Sequence, residues 1–323
     1  MKSWRQRKGV MNEMFQFKRC YALALCALPL ITGFSAPPLG LDAVMTRIIE
    51  EAPKKRIPPV DARVDRVWGA IPGYNGLDVD TERTYELNKN KPAGSPIQYV
   101  YNETSPSVNL DNLGAEPIYS GNPQKPMAAF MINVAWGEEF IPKILDTLDK
   151  HKVKATFFFD GSWLKKNVAT AQKIGSRGHE LSNHAYSHKN MSQLSKSQAL
   201  LEISKTEQLL QTHLQVKNRW FAPPSGDFDK QTVEIALSLK LNTVLWTLDT
   251  VDWQNPSPQS LIHKIGTKAG NGSLILMHPT RSSSLALDGM IQALQHKGLH
   301  IGTVSDVLSP KRIPAREPGL LTP

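Results

Sequence analysis

Apolar and polar positions follow two rhythms between residues 126 and 308. Short apolar runs are typical of buried parallel strands, and apolar residues repeated every three or four positions are typical of helices. The two rhythms alternate along the chain, which predicts an α/β fold, either a (β/α) barrel one strand short of eight or a doubly wound sheet. The predicted strands cover 127–134, 155–159, 179–184, 219–222, 243–248, 273–277 and 300–304, and the predicted helices cover 141–148, 163–174, 200–214, 233–239, 260–265 and 285–294.

Residues 41–104 do not show this regular alternation and are predicted to form a small α+β module. Helices are predicted over 43–51 and 60–71, and short strands over 77–87 and 97–101. The second helix rests on four apolar residues at helical spacing, Val60, Val64, Val67 and Ile71.

Two segments rich in proline or glycine border the regular region at 126–308. Residues 105–125 contain five prolines or glycines and are predicted to be a linker. Residues 309–323 are predicted to be a flexible tail.

The first 36 residues are predicted to direct export. A basic start is followed by an apolar run over 20–34, which is short for a membrane span and typical of the core of a secretory signal. Two alternatives stay open: a signal peptide cut after Ala36, or an N-terminal anchor that attaches the protein to the membrane through residues 20–34. Both cysteines, Cys20 and Cys26, lie in this run, so the rest of the chain has no disulfide framework.

The net charge of +9 is concentrated at the start of the chain, where residues 1–19 contribute five of the nine charges. The remainder shows no basic stripe with interleaved aromatic side chains and no glycine-rich phosphate loop. We therefore predict no nucleic-acid partner.

Polar residues fall at the carboxyl ends of the predicted strands, where (β/α) barrels build their active sites. One of them, His184, has a second histidine four positions later: this spacing would place the imidazoles of His184 and His188 on one face of a helical turn, close enough to share a cation. The full set at strand ends is Asn133, Asp160, His184, Pro223, Pro224, Asp249 and His278.

His278 follows a strongly apolar strand and precedes a proline, a position that suits a general acid at the mouth of a barrel. Asp249 ends the preceding predicted strand and is the carboxylate better placed to orient or tune another group. Asp252, three residues later, is read as a cap of the following turn.

Residues 126–308 resemble the polysaccharide deacetylase (NodB-homology) domain of carbohydrate esterase family four. The stretches 55–80 and 133–186 are most similar to the YlxY group, a sporulation-associated branch found in spore-forming bacteria. Five family motifs occur here in order, at 131–135, 184–188, 222–226, 249–253 and 276–278.

The resemblance implies a distorted (β/α) barrel of about seven parallel strands and an extracytoplasmic enzyme of the cell envelope or spore wall. Such an enzyme is a metal-dependent hydrolase that removes acetyl groups from a glycan such as peptidoglycan or chitin oligomers. Carried over to this sequence, the family's metal histidines are His184 and His188, and its general acid is His278 with Asp249 as partner. The motif residues assigned to substrate binding are Ser187, Pro223, Pro224, Trp253 and Leu276.

Three positions of the family machinery are substituted. The base position is Asn133, whose amide cannot take a proton from water. The position of the metal-binding aspartate is Val134, and that of the arginine that pairs with the base is Ala222. A divalent metal, with zinc expected, is therefore predicted to be weakly held or absent, because two histidines are fewer than the three protein ligands of a catalytic zinc site.

Two hypotheses follow. The first is a deacetylase that works with an altered site, in which Glu138, Glu139 or Asp160 supplies the missing carboxylate, although the two glutamates also fit as charges at a helix N-terminus. The second is an inactive relative that binds glycan or acts as a structural partner in envelope or spore assembly.

Overall fold

The computed structural model describes residues 42–313, which belong to one compact unit. The predicted signal peptide or anchor over 1–36 lies outside these residues. No helix within 42–313 is long and apolar enough to cross a membrane.

Residues 42–104 form an α+β segment with two antiparallel strand pairs. The first strand pairs with the second, and the third pairs with the fourth. Its elements are α1 (Ala43–Glu51), β1 (Arg63–Asp65), β2 (Gly69–Ile71), β3 (Gly76–Val79), α2 (Thr81–Asn88) and β4 (Tyr101–Thr104).

The predicted helix over 60–71 is wrong, because β1 and β2 form a hairpin there. The Asp65 carboxylate closes the turn by accepting hydrogen bonds from two backbone N–H groups at 2.8 and 2.9 Å. Gly69 follows with φ +63°, and a side chain on it would collide with the carbonyl oxygen of Pro117. Contact with the segment before the barrel thus overrides the helical spacing of the apolar residues.

The predicted strand over 77–87 divides into a strand and a helix. β3 ends at Val79 and α2 begins at Thr81, after Asp80, whose side chain accepts a hydrogen bond from the Arg83 N–H at 2.9 Å. An aspartate in this position is a strong helix N-cap. The strand predicted over 97–101 is displaced to β4.

A curled parallel sheet of eight strands forms the centre of the described part of residues 126–308. In chain order its strands are β5 (Met127–Val134), β6 (Thr156–Phe159), β7 (Glu180–Asn183), β8 (Trp220–Phe221), β9 (Asn242–Thr243), β10 (Leu248–Asp249), β11 (Ser273–Met277) and β12 (His300–Gly302). Seven strands follow the order β10-β11-β5-β6-β7-β8-β9, and β12 pairs with β5 beside this path.

β5 is the central strand, and all eight of its residues are buried. β11 pairs with one edge, while β6 and β12 share the other edge, β6 along the carboxyl half and β12 along the amino half. Successive side chains of a strand point to opposite faces. Val134 therefore packs into the outer core under the helices, whereas Met131 packs into the inner core and Asn133 lines the inner cavity.

The distorted barrel predicted from the family resemblance is confirmed, with one difference in the fifth predicted strand. The run over 243–248 divides into β9 and β10. Between them the backbone N–H of Leu245 donates to the carbonyl of Ile118, and that of Thr247 donates to the carbonyl of Leu274. A segment of the predicted linker thus fills the gap at this point of the sheet.

Helices cover the outer face of the sheet. The helix predicted over 163–174 is two helices, because Asn167 leaves helical geometry at φ −125° and ψ 34°. The helices are α3 (Ile141–Lys150), α4 (Gly161–Lys166), α5 (Val168–Ser176), α6 (Lys196–Leu214), α7 (Lys230–Ser238), α8 (Pro258–Lys268), α9 (Arg281–His296) and α10 (Val304–Leu308).

The flexible tail predicted over 309–323 is wrong for its first five residues. The Pro310 carbonyl accepts a hydrogen bond from the Asn75 N–H at 2.8 Å, and Ile313 is buried in the inner core. The Arg312 guanidinium lies 4.4 Å from the centre of the Tyr74 ring. This segment therefore connects the N-terminal strands to the barrel, and residues 314–323 lie outside the described part.

The predicted linker ends on Lys125, which is 2% exposed. Its ammonium group donates to the carbonyls of Asp306 and Ser309 at 2.5 and 2.7 Å, at the end of α10. Burial lowers the pKa of Lys125 to about 8, against the opposing effect of the Asp306 and Glu103 carboxylates.

We expect the contribution of Lys125 to the free energy of unfolding to rise between pH 8 and pH 10.5. Over this range the unfolded chain keeps the lysine proton and the folded chain has released it, so the unfolded state binds more protons and stability increases with pH. The full change is about 3 kcal/mol. Urea unfolding of the wild type and of Lys125→Met should show a difference that grows in favour of the wild type over this range. A constant difference would contradict the lowered pKa.

Candidate active site

The loop after β7 carries the two histidines that the sequence singled out. The predicted helical turn is wrong, because Ala185 and His188 have left-handed backbone angles, φ 59° and 53°. The loop nevertheless brings the rings of His184 and His188 together, with centroids 5.2 Å apart and planes at 74°. The predicted proximity of the pair is confirmed, although a loop and not a helix produces it.

Glu202 on α6 holds this loop in place. Its carboxylate accepts hydrogen bonds from the backbone N–H groups of Tyr186 and Ser187, at 3.1 and 2.8 Å, and from the Ser187 hydroxyl at 2.6 Å. The Thr206 hydroxyl, one turn further along α6, donates to the Ala185 carbonyl at 2.7 Å. Ser187, predicted to bind substrate, therefore anchors the loop. Sequence reasoning missed Glu202; its signal is a charged residue on the apolar face of an amphipathic helix.

His184 is fully buried beneath the cavity and neutral. Its Nδ1–H donates to the carbonyl of Ala222 at 2.7 Å, so Nε2 carries the lone pair, and Nε2 is buried without a partner. Burial lowers the pKa of His184 to about 3, and the neighbouring His188 adds to the effect. The imidazole thus has the protonation state that metal binding needs.

His278 pairs with Asp252, and the predicted partnership with Asp249 is wrong. The Nδ1–H of His278 donates to Asp252 at 2.8 Å, its backbone N–H donates to the same carboxylate at 2.7 Å, and the Ser283 hydroxyl donates as well. Asp249 instead accepts a hydrogen bond from the Val251 N–H at 2.7 Å. The left-handed backbone of Val251 (φ 57°) lies between the two aspartates, a turn that the pattern of apolar residues does not reveal.

A cavity of about 390 Å³ opens at the carboxyl ends of the strands, in the size range of ligand pockets. Three residues that the sequence did not single out line it, namely Trp136, Ser225 and Trp246. Pro223 and Pro224 are predicted substrate contacts that do not line it, although they directly precede Ser225. The predicted residues that do line the cavity are Asn133, His188, Asp249, Trp253, Leu276 and His278.

Comparison with known proteins finds relatives by family profile, by sequence and by structure, and the three agree with one another. A family profile for polysaccharide deacetylase matches residues 120–244. YlxY of Bacillus subtilis is 43% identical over 272 residues, which cover 84% of this chain and 85% of that protein. A peptidoglycan-N-acetylglucosamine deacetylase of Bacillus cereus is 32% identical over 191 residues, 58% of this chain and 70% of that protein. The crystal structure of BA3943, a CE4 family pseudoenzyme from Bacillus anthracis, matches with a TM-score of 0.79 and 40% identity, over 85% of this chain and 98% of that one.

The chain belongs to the polysaccharide deacetylase family, carbohydrate esterase family four. At the position where the sequence resemblance places the family's acid, His278 is oriented by a buried carboxylate. At the positions where the resemblance places the base and its arginine partner, Asn133 and Ala222 carry no charge. The side-chain oxygen of Asn133 is buried without a hydrogen-bond partner.

The side chains at the family's metal position do not complete a catalytic metal centre. His184 and His188 offer two imidazoles, but Val134 has no lone pair and packs into the outer core. Within residues 42–313 no group of three or more histidine, cysteine or carboxylate side chains could hold a metal. A catalytic zinc site uses three protein ligands and one open position. The residues therefore do not fit the family's metal.

The three carboxylates considered as substitutes differ in their surroundings. Glu138 and Glu139 lie exposed in a single 3₁₀ turn, and Glu138 accepts a hydrogen bond from the Trp163 indole at 3.3 Å. Asp160 caps α4 with one oxygen, while its other oxygen is buried without a partner. Burial raises the pKa of Asp160, and its hydrogen bonds and the nearby His188 partly oppose this shift.

We expect Asp252 and Asp249 to differ sharply in their contribution to stability. Asp252→Ala removes a fully buried acceptor of three hydrogen bonds and should lower the free energy of unfolding by about 3 kcal/mol. Asp249→Ala, the matched control, removes a partly exposed side chain and should cost less than about 1 kcal/mol. Urea unfolding monitored by circular dichroism measures both, and equal losses would contradict the assignment of Asp252 as the partner of His278.

Proposed function

We propose that this protein binds an N-acetylated glycan of the peptidoglycan type and does not hydrolyse it. The observation that carries the proposal is the neutral base half of the site: Asn133, Val134 and Ala222 stand where the family has two aspartates and an arginine. The cavity and the His278–Asp252 pair remain, so the groups that would face a glycan are retained while those that activate water are not.

The physical chemistry of the substitutions supports loss of turnover. A general base must accept a proton from the attacking water, and the Asn133 amide has no basic site near neutral pH. Replacing an aspartate and an arginine together removes an ion pair without leaving one charge buried alone, which would be costly. The substitutions are thus consistent with one another and leave no buried charge without its partner.

The relatives support the same conclusion. The Bacillus cereus relative is a peptidoglycan-N-acetylglucosamine deacetylase, which indicates the class of glycan. BA3943 is a CE4 family pseudoenzyme, and a mutant of it with restored enzymatic activity has also been crystallised. A family member can therefore keep a barrel that supports the chemistry after its catalytic residues have changed.

The second candidate function is a deacetylase with an altered site. It is favoured by the intact acid, His278 with Asp252, and by the unpartnered buried oxygen of Asp160. In this alternative the product would be acetate and a free amine, and the enzyme would be a hydrolase of non-peptide carbon–nitrogen bonds.

The place of action we propose is outside the cytoplasm, in the cell envelope or spore wall. The basic start and apolar run over 20–34 support export, either by a cleaved signal or with the run as a membrane anchor. A role in sporulation is supported by the similarity to the YlxY group. In that setting an inactive protein would act as a glycan-binding or structural partner in wall assembly.

We expect no acetate release by the wild type. We expect the triple variant Asn133→Asp, Val134→Asp, Ala222→Arg to release acetate. Restoring a base and its ion partner should raise acetate release from peptidoglycan or N-acetylglucosamine oligomers about 100-fold over the uncatalysed background in the presence of zinc. Adding His278→Ala to the triple variant is the control and should return release to background. Release by the wild type that depends on His278 would sink the non-catalytic proposal.

We expect the wild type to bind zinc weakly and a single substitution to raise its affinity for zinc. Val134→Asp puts the family's carboxylate at the carboxyl end of β5. Because a charge buried in the outer core is costly, the new side chain should turn toward a cation shared by His184 and His188 and tighten zinc binding about tenfold or more in calorimetric titration. Val134→Asn has the same size without the charge and serves as the control for the loss of apolar packing. Equal zinc affinities of the wild type and Val134→Asp would show that another side chain already completes the site.

A further inference from the structure

Three of the seven tryptophans of the sequence line the cavity, namely Trp136, Trp246 and Trp253. Two of them are also open to solvent, Trp136 at 43% and Trp253 at 56% exposure. Large exposed aromatic rings around a concavity are unusual unless they contact a ligand, because burying them is favourable. The cavity is therefore built for a ligand with an apolar face.

Trp136 occupies the centre of this arrangement. Its ring stacks on the ring of His278, with centroids 5.2 Å apart and planes at 14°, and lies edge-on to His188 at 6.2 Å. The indole thus spans the two imidazole groups that the family uses for the metal and for the acid. A ligand in the cavity meets the indole beside both.

The backbone after Trp136 is held tightly. Gly137 has φ 80°, and a side chain at this position would collide with the carbonyl oxygen of Pro279, the residue after His278. The loop that carries the indole is therefore closely packed against the segment that carries the imidazole. This packing makes Trp136 a preorganised surface, which lowers the entropic cost of binding.

The charge of the cavity restricts what can bind. Among the described residues that line it there is no lysine or arginine, and Asp249 is its one carboxylate. The position at which the family has an arginine is Ala222, which is buried. An anionic ligand would approach Asp249 without a compensating lysine or arginine, which is unfavourable in a partly desolvated site.

We propose that the cavity recognises an uncharged N-acetylated hexosamine ring by stacking on Trp136 and Trp253, and that it discriminates against hexosamines that carry a carboxylate. In peptidoglycan terms, the ligand is the N-acetylglucosamine unit and not N-acetylmuramic acid, whose lactyl group is a carboxylate where the stem peptide is absent and carries the bulky stem peptide where it is present. The inference rests on the proposed glycan-binding function and specifies its ligand and the residues that recognise it. Stacking requires no metal and no base, so it is compatible with a site that has lost both.

The test measures the binding of two matched disaccharides to the full chain. Calorimetry or indole fluorescence, without added metal, gives the affinities. One disaccharide consists of two N-acetylglucosamine units, and in the other N-acetylmuramic acid replaces one unit. We expect the neutral disaccharide to bind about tenfold more tightly than the acidic one. Asp249→Asn should bring the affinity for the acidic disaccharide closer to that for the neutral one. A purely structural role of Asp249 would not produce this effect.

Substitution of the indole tests the stacking. Trp136→Ala should weaken binding of the neutral disaccharide about tenfold, whereas Trp136→Phe, which keeps an aromatic face, should retain most of it. The matched control is Trp68→Ala, because Trp68 is 41% exposed in the β1–β2 turn and does not line the cavity. Circular dichroism of each variant shows whether the fold is kept.

The outcomes separate this inference from the proposed function. Binding of the neutral disaccharide that Trp136→Ala leaves unchanged, or equal affinity for the two disaccharides, overturns the inference and leaves glycan binding standing. Absence of binding to either disaccharide and to longer N-acetylglucosamine oligomers or peptidoglycan overturns both. A preference for the neutral disaccharide that is lost in Trp136→Ala supports both the inference and the proposed function.

Discussion

The burial of β5 on both faces is the constraint on which the rest of the structure depends. This strand pairs with three others, and its side chains alternate between the outer core under the helices and the inner face, which holds the inner core and the cavity. At its carboxyl end the alternation separates two neighbours: Asn133 lines the cavity and Val134 joins the outer core. An apolar residue at the second position is therefore accommodated without strain, since it extends a core that Ile132 already occupies. Val134 offers no lone pair to a cation and adds to the packing of the outer core.

Around this end of the sheet, some polar groups are held by hydrogen bonds and others are buried without a partner. Asp252 accepts two hydrogen bonds from His278 and one from Ser283, and Glu202 fixes the histidine loop by accepting three more. On the other side, Asn133 and the Nε2 atom of His184 are buried with no partner. Buried polar atoms are normally satisfied, so these two acceptors stand out beside the cavity as unpartnered. The hydrogen-bonded groups thus surround a centre at which Asn133 and Ala222 carry no charge.

Indole rings occupy the mouth of this centre. Trp136 shares contacts with both His188 and His278, and thus covers the region in which the family carries out water activation. Among the described residues, the cavity wall combines aromatic surface with one carboxylate and has no lysine or arginine. Binding by stacking depends on rigid placement of the rings, which the contact of Gly137 with Pro279 provides.

The sequence by itself determined the alternation of strands and helices, the place of the polar residues at strand ends, and the substitutions at positions 133, 134 and 222. These follow from periodicity and from motif order, which are local properties of the chain. Only the tertiary structure decided that Asp252 and not Asp249 pairs with His278, because a left-handed residue redirects the chain between them. The same holds for Glu202 and Trp136, whose partners are distant in sequence, and for the hairpin over 63–71, where a helical spacing yields to contact with Pro117. Long-range contacts cannot be read from spacing, since they depend on which segments the folded sheet brings together.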